Sequence, residues 1–172
     1  MNEALLTNAI KGAIAGAIGV WVMDRVDWFA YRHEPEEARK QTTAARPGGL
    51  DPAHVIANQV AGAAGRELSP QQPHPLGVAT HYSLGVGPGA IYGAVRDHFP
   101  AVTSGRGALF GLSLFLLQDE GINAITGLSG KPSDYPWQAH GRGLLAHLVF
   151  GVVTDSVLRL LDGSKSSPKR NH

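Results

Sequence analysis

The sequence predicts an all-α, polytopic membrane protein: an antiparallel bundle of four transmembrane helices, with a long extramembrane loop after the first that contains one short helix. Three observations carry that expectation. Four apolar segments, at about 9–31, 76–95, 107–128 and 137–161, approach or reach the ~20 helical residues that cross a ~30 Å hydrocarbon core. The second of them, LGVATHYSLGVGPGAIYGAV from Leu76 to Val95, has no Asp, Glu, Lys or Arg, yet is full of Gly and carries Pro88 at its centre. In water those residues would weaken a helix by roughly 1 kcal/mol per Gly and about 3 for Pro relative to Ala, whereas in lipid they are tolerated and permit close helix packing. The third segment, GALFGLSLFLLQDEGINAITGL, opens with 12 uncharged residues, meets Asp119 and Glu120, and runs uncharged again to Gly130. Carboxylates inside so apolar a stretch mark either a membrane helix with buried acids or a soluble core helix whose acids face water.

A chain of 172 residues supports one domain, here about 1–162, followed by a short basic tail, 163–172, expected to be disordered. The balance of 15 basic against 14 acidic residues leaves no footprint for nucleic acid. The absence of Cys removes disulfides, thiolate metal sites and a cysteine nucleophile. A mean hydropathy of −0.08 is low for a membrane protein and is the best argument for the rival soluble bundle. The polar stretch from Arg32 to Gln72 and the tail dilute that average. No basic region precedes the first apolar run and no convincing cleavage site follows it, so a signal peptide is not expected.

In chain order, the first segment starts near Lys11 and ends on Asp24, Arg25 and Asp27 with the aromatic group Trp28, Phe29 and Tyr31, which suits a membrane boundary. Gly12, Gly16 and Gly19 give it a small-residue face. The loop, 32–75, is polar and Pro-rich, and Asp51-Pro52 provides an N-cap and first-turn Pro for its short helix. The second segment repeats the device with Gly85, Gly89 and Gly93. After Arg96-Asp97-His98-Phe99-Pro100 comes the third segment, then the turn SGKPSDYP, then a fourth from Trp137 carrying His140, Arg142, His147, Asp155 and Arg159.

Alternating directions place ionisable residues of all four helices in the half of the bundle near the long loop. These are Asp27, His81, Asp119, Glu120, His140 and His147, while Asp155, Arg159, Arg96, Asp97 and Arg106 gather at the other end. Intramembrane ionisable groups usually face partners or water. The six are therefore candidates for a proton relay or for ligands, with His81, His147 and Asp119 the trio for a divalent metal and His81 with His147 a possible axial pair for haem. No standard metal motif is present. Asp155 and Arg159, four apart, read as a structural ion pair, and so do Asp24 and Arg25. Asp119 and Glu120 point about 100° apart on an α-helix, so they are not expected to share one cavity.

On these residues the chain resembles the YagU-like bacterial inner-membrane proteins, from about Gly12 to Arg159. The resemblance lies in Gly127-Leu128, in Asp134-x-Pro136-Trp137, and in His147-Leu148-Val149 with Asp155 and Arg159. It extends to the block from Thr80-His81 through Tyr92, Asp97 and Phe99-Pro100 to Gly107 and Gly111, and Asp27 falls where relatives have an acidic residue after the first helix. The resemblance implies an all-helical membrane bundle linked to acid resistance, and it brings no catalytic residues. The chain departs from it after the first helix, where Arg46-Pro47 stands for a Pro-Pro-Arg sequence, and at position 119, where Asp stands for His.

The functional expectation is an inner-membrane protein whose His and carboxylate cluster handles protons or a metal ion in acid tolerance, rather than an enzyme. Two rivals stand beside it: a haem or metal redox subunit, and a structural subunit that forms a homo-oligomer or joins a larger complex through its Gly faces. Basic residues number seven on the terminal side and eight on the other. The long loop supplies most of the latter, which favours cytoplasmic termini.

Overall fold

The computed structural model describes residues 3–163, so the expected tail from 164 onward lies outside the described residues. Those residues form helices and connections, with no strand among them. Helix α1 is Glu3–His33, α2 Glu36–Ala45, α3 Pro52–Ala63, α4 Pro75–Val95, α5 Ala108–Leu114, α6 Asn123–Ile125 and α7 Trp137–Gly163; a π-helical segment, Phe115–Ile122, joins α5 to α6.

Three stretches are long and apolar enough to cross a membrane: α1, the continuous helix from Ala108 to Ile125, and α7. Helix α4 is free of charge but falls outside this group, because five Gly, two Tyr, two Pro and His81 lower the hydropathy of its 21 residues. The chain nevertheless continues helical through Pro88.

Helix α1 packs along both α4 and α7, α5 packs on α7, and α3 lies against α4. The contacts are made by glycine. A Cβ added at Gly16 would lie 2.8 Å from the Gly85 carbonyl oxygen, and one at Gly89 would lie 2.8 Å from the Gly16 Cα. A second seam joins Gly107 and Gly111 to α7, where a Cβ on Gly151 would stand 2.7 Å from the Gly111 nitrogen. Both rows are thus consumed within the chain, where small residues let helix backbones touch.

Many large apolar side chains are on the outside, although Val20, Phe115, Phe150 and Leu158 are buried. Ile10, Ile14, Ile18 and Trp21 run down an exposed face of α1, and Leu117, Ile125 and Leu160 are exposed on the other long apolar stretches. Inside stand Ala15, Tyr92, Leu158 and the glycines. Water would drive Ile and Leu inward, so an exterior this apolar is compatible with a membrane protein.

The loop after the first helix differs from expectation by holding two helices. Helix α3 starts at Pro52 with Asp51 accepting from the His54 backbone N–H. Helix α2, with the sequence EEARKQTTAA, has no apolar periodicity to announce it; acidic residues in its first turn and a Lys40–Glu36 pair support it. Helix α1 also begins earlier than the apolar run, at Glu3. The third segment is not one α-helix, because its acidic centre is wound as π.

Candidate functional site

A cavity of about 950 Å³ opens between α1, α4, the π segment and α7, with the loop after α1 contributing part of its wall. All six ionisable candidates line it: Asp27 from α1, His81 from α4, Asp119 and Glu120 from the π segment, His140 and His147 from α7. Asp119 and Glu120 both line it, against the expectation that they would not share one cavity, because the space is wide enough to meet both; the segment that carries them is π-helical. With i→i+5 hydrogen bonds the helix turns less per residue, and π turns recur at functional sites.

Each imidazole has its own carboxylate. His81 Nε2 lies 2.7 Å from Asp24 Oδ1, so Asp24 pairs across helices and not with Arg25, whose guanidinium lies over the Trp21 ring at 5.1 Å. His147 Nδ1 donates to the Gly143 carbonyl at 2.9 Å and stands 3.6 Å from Asp119 Oδ2. The remaining Asp119 oxygen accepts from Asn123 Nδ2 at 3.4 Å.

The His140 contacts fix where a proton must be. Its Nε2 lies 3.0 Å from the Pro132 carbonyl oxygen, which can only accept, so Nε2 carries hydrogen. Its Nδ1 lies 2.7 Å from Glu120 Oε1. Two bare lone pairs do not approach this closely, so that contact holds a second proton, on the ring or on the carboxyl group.

Arg142, early in α7, lies in the cavity wall. Its Nη1 donates to both Asp27 oxygens at 2.9 and 3.0 Å and its Nε to Glu34 Oε1 at 2.8 Å, while its guanidinium sits 5.1 Å from the Tyr31 ring centre. Asp27, a candidate proton carrier by position, is therefore held in an ion pair. Glu34 and Arg142 went unassigned in the sequence because nothing there links the end of α1 to α7; the only signal was an Arg inside apolar sequence.

On the loop side His54, which lines the cavity, and His74 behind it are both buried. His54 Nδ1 donates to Asp51 at 2.9 Å, and its Nε2 accepts from the His74 backbone N–H at 3.2 Å. His74 Nδ1 accepts from the Gly77 N–H at 3.1 Å, and its Nε2 donates to Asn58 Oδ1 at 3.0 Å.

The metal site expected from His81, His147 and Asp119 does not form. Among the described residues no three His, Asp or Glu side chains gather as ligands for one ion. The reason is the pairing, which ties His81 to Asp24 and leaves Asp119 beside His147 alone. Haem ligation through His81 would likewise cost the Asp24 bond at Nε2.

At the opposite end Asp155, fully buried, accepts from Arg159 Nε at 2.6 Å and from the Tyr92 hydroxyl at 2.8 Å, with Arg96 at 3.7 Å. Lys11 and Arg96 both pair with Asp162. These contacts tie α1, α4 and α7 together, while Arg106 sits in the adjoining turn with a positive φ of 55°. Comparison with protein-family profiles, with characterised proteins and with solved structures gives no match for the chain.

Proposed function

We propose that the chain is an integral membrane protein of the YagU-like kind, crossing the bacterial inner membrane four times through α1, α4, Ala108–Ile125 and α7, with its termini in the cytoplasm. Its cavity takes up and releases protons, and the use of that chemistry is acid tolerance. The outward placement of Ile, Leu and Trp supports the membrane reading. Helix α4 joins the crossing set because its Gly85, Gly89 and Gly93 row packs backbone to backbone on α1 and its 21 residues carry no charge.

The observation that carries the proton reading is the His140–Glu120 contact, which must hold a proton between ring and carboxyl because the other ring nitrogen is committed to Pro132. Asp24–His81 and Asp119–His147 surround the same cavity, so imidazole, the side chain whose charge changes between pH 5 and 8, is present three times beside a carboxylate. The metal alternative is set aside for want of a third ligand.

The test is proton flux into vesicles containing the purified chain and a trapped pH-sensitive dye. Wild-type protein is expected to speed equilibration after an external acid step, and His140→Ala, Glu120→Gln and His81→Ala each to slow it toward the protein-free rate. Unchanged flux in all three variants would remove the proton reading.

A further inference from the structure

The cavity carries more negative charge than its own cations answer. Of its carboxylates, Asp27 is bonded by Arg142 and Asp51 by His54. Glu120 shares with His140 the proton described above, so that pair is balanced; Asp24 and Asp119 stand beside His81 and His147, and among the described residues no Lys or Arg makes an ion pair with them. The wall's three arginines do not fill the gap: Arg142 is committed to Asp27 and Glu34, Arg25 lies over Trp21, and Arg46 pairs with neither of these two acids.

Asp119 is the sharpest case. It sits deep in the protein, yet its side chain keeps 37% of its surface because it opens onto the cavity. Its donors are loose, with Asn123 Nδ2 at 3.4 Å and His147 Nδ1 at 3.6 Å, the latter already donating to Gly143. A deep carboxylate facing open space without a close donor is the place where a ligand's charge would be stabilised.

The shape of the site selects the kind of cation. A bare metal ion needs several ligands around one point, and the described residues offer no such group. The volume of about 950 Å³ is that of a site for an organic molecule. The rest of the lining suits an apolar body, with Val20, Met23, Leu84, Phe115 and Phe150 facing the cavity.

We propose that the cavity binds a free organic cation with an apolar body, an ammonium or related onium ion, its charge held by Asp24 and Asp119 and its body against Phe115 and Phe150. This rests on the reading of the cavity given above and adds a ligand class to it.

The test uses the full chain in a neutral detergent with tetraphenylphosphonium, a permanent cation, against tetraphenylborate, an anion of the same shape. The cation is expected to bind saturably by calorimetric titration and to raise the thermal unfolding midpoint, as a ligand of the folded state does, and the anion to do neither. Asp24→Asn and Asp119→Asn should each weaken binding by about tenfold, the scale of one lost charged contact. Arg159→Gln, at the opposite end, should leave it unchanged. Equal response to the two ions, or no response of the wild type to the cation, overturns the proposal, and both outcomes are read without any variant. Cation binding in a chain that conducts no protons upholds this site and removes the proton reading; proton flux without cation binding does the reverse.

Discussion

Tyr92 gives its hydroxyl hydrogen to Asp155 at 2.8 Å, joining a fully buried carboxylate on α7 to the far end of α4. The bond is one of two on that carboxylate, the other from Arg159, with the Arg96 guanidinium nearby at 3.7 Å, and Phe110 stacks on the Tyr92 ring with centroids 4.3 Å apart. The end of the chain opposite the cavity is therefore a closed polar knot in which every partner is fixed.

Removing the hydroxyl alone isolates that bond. Tyr92→Phe keeps the stack on Phe110 and is expected to lower stability by about 1.5–3 kcal/mol, the range for a hydrogen bond to a charged group. Thermal unfolding in detergent measures the loss, and cavity function should survive, since Tyr92 does not line the cavity. A variant as stable as the wild type would show that the bond contributes nothing net.

The glycines divide into those in contact and those in the open. A Cβ at Gly16 would meet the Gly85 carbonyl oxygen at 2.8 Å, whereas one at Gly87, on the same helix as Gly85, would meet nothing within 4 Å. Gly16→Ala should force α1 and α4 apart and lose about 1–3 kcal/mol. Gly87→Ala should be neutral or gain up to about 1 kcal/mol from helix propensity. Unfolding midpoints for the pair give the comparison directly; equal values would mean that the α1–α4 seam is looser than its geometry.

Much of this was legible in the sequence, and the omissions have physical causes. Apolar runs and Gly spacing gave the long helices, since each is a local pattern that burial or lipid selects. Asp51-Pro52 announced α3 because capping is chemistry within one turn. The six ionisable candidates line one cavity because helix length and direction alone set their depth. Partner choice was not local and was misread: Asp24 is next to Arg25 in sequence but bonds His81, which is 57 residues away. The π turn at Phe115–Ile122 has no compositional mark, and the width of the cavity, which lets Asp119 and Glu120 both line it, is set by how the helices pack and not by local sequence. Arg142 was visible as an odd charge, but Glu34 and Asp27 as its partners depend on how α7 meets the end of α1.

The buried pair His54 and His74 makes a prediction about hydrogen atoms. Two backbone N–H groups, of His74 and Gly77, are aimed at His54 Nε2 and His74 Nδ1, so those nitrogens must be bare. His54 is then the Nδ1–H tautomer, donating to Asp51, and His74 the Nε2–H tautomer, donating to Asn58. Nitrogen-15 correlation spectra distinguish tautomers, and opposite tautomers for the two rings near neutral pH are the expected result. The same tautomer on both would mean that one of the two backbone bonds is absent.

Arg142 and Asp27 supply the last prediction, where shape and charge can be separated. The guanidinium reaches Asp27 through Nη1 and Glu34 through Nε while lying over Tyr31, a fork that an ammonium cannot reproduce. Arg142 keeps only 9% of its side-chain surface and Glu34 8%, so both charges are desolvated, and the second Glu34 oxygen is buried without a hydrogen-bond partner. Arg142→Gln leaves two acids facing each other and should cost about 3–5 kcal/mol, the penalty for removing one partner of a buried pair. Arg142→Lys keeps the charge, loses one of the two carboxylates, and should cost less than the Gln variant but remain clearly destabilised. Adding Glu34→Gln to Arg142→Gln removes one of the orphaned charges and should recover part of the loss, so the double variant should be more stable than the sum of the two single changes. Strict additivity in that cycle would place Glu34 and Arg142 out of contact, and the end of α1 would then not be fastened to α7 beside the cavity.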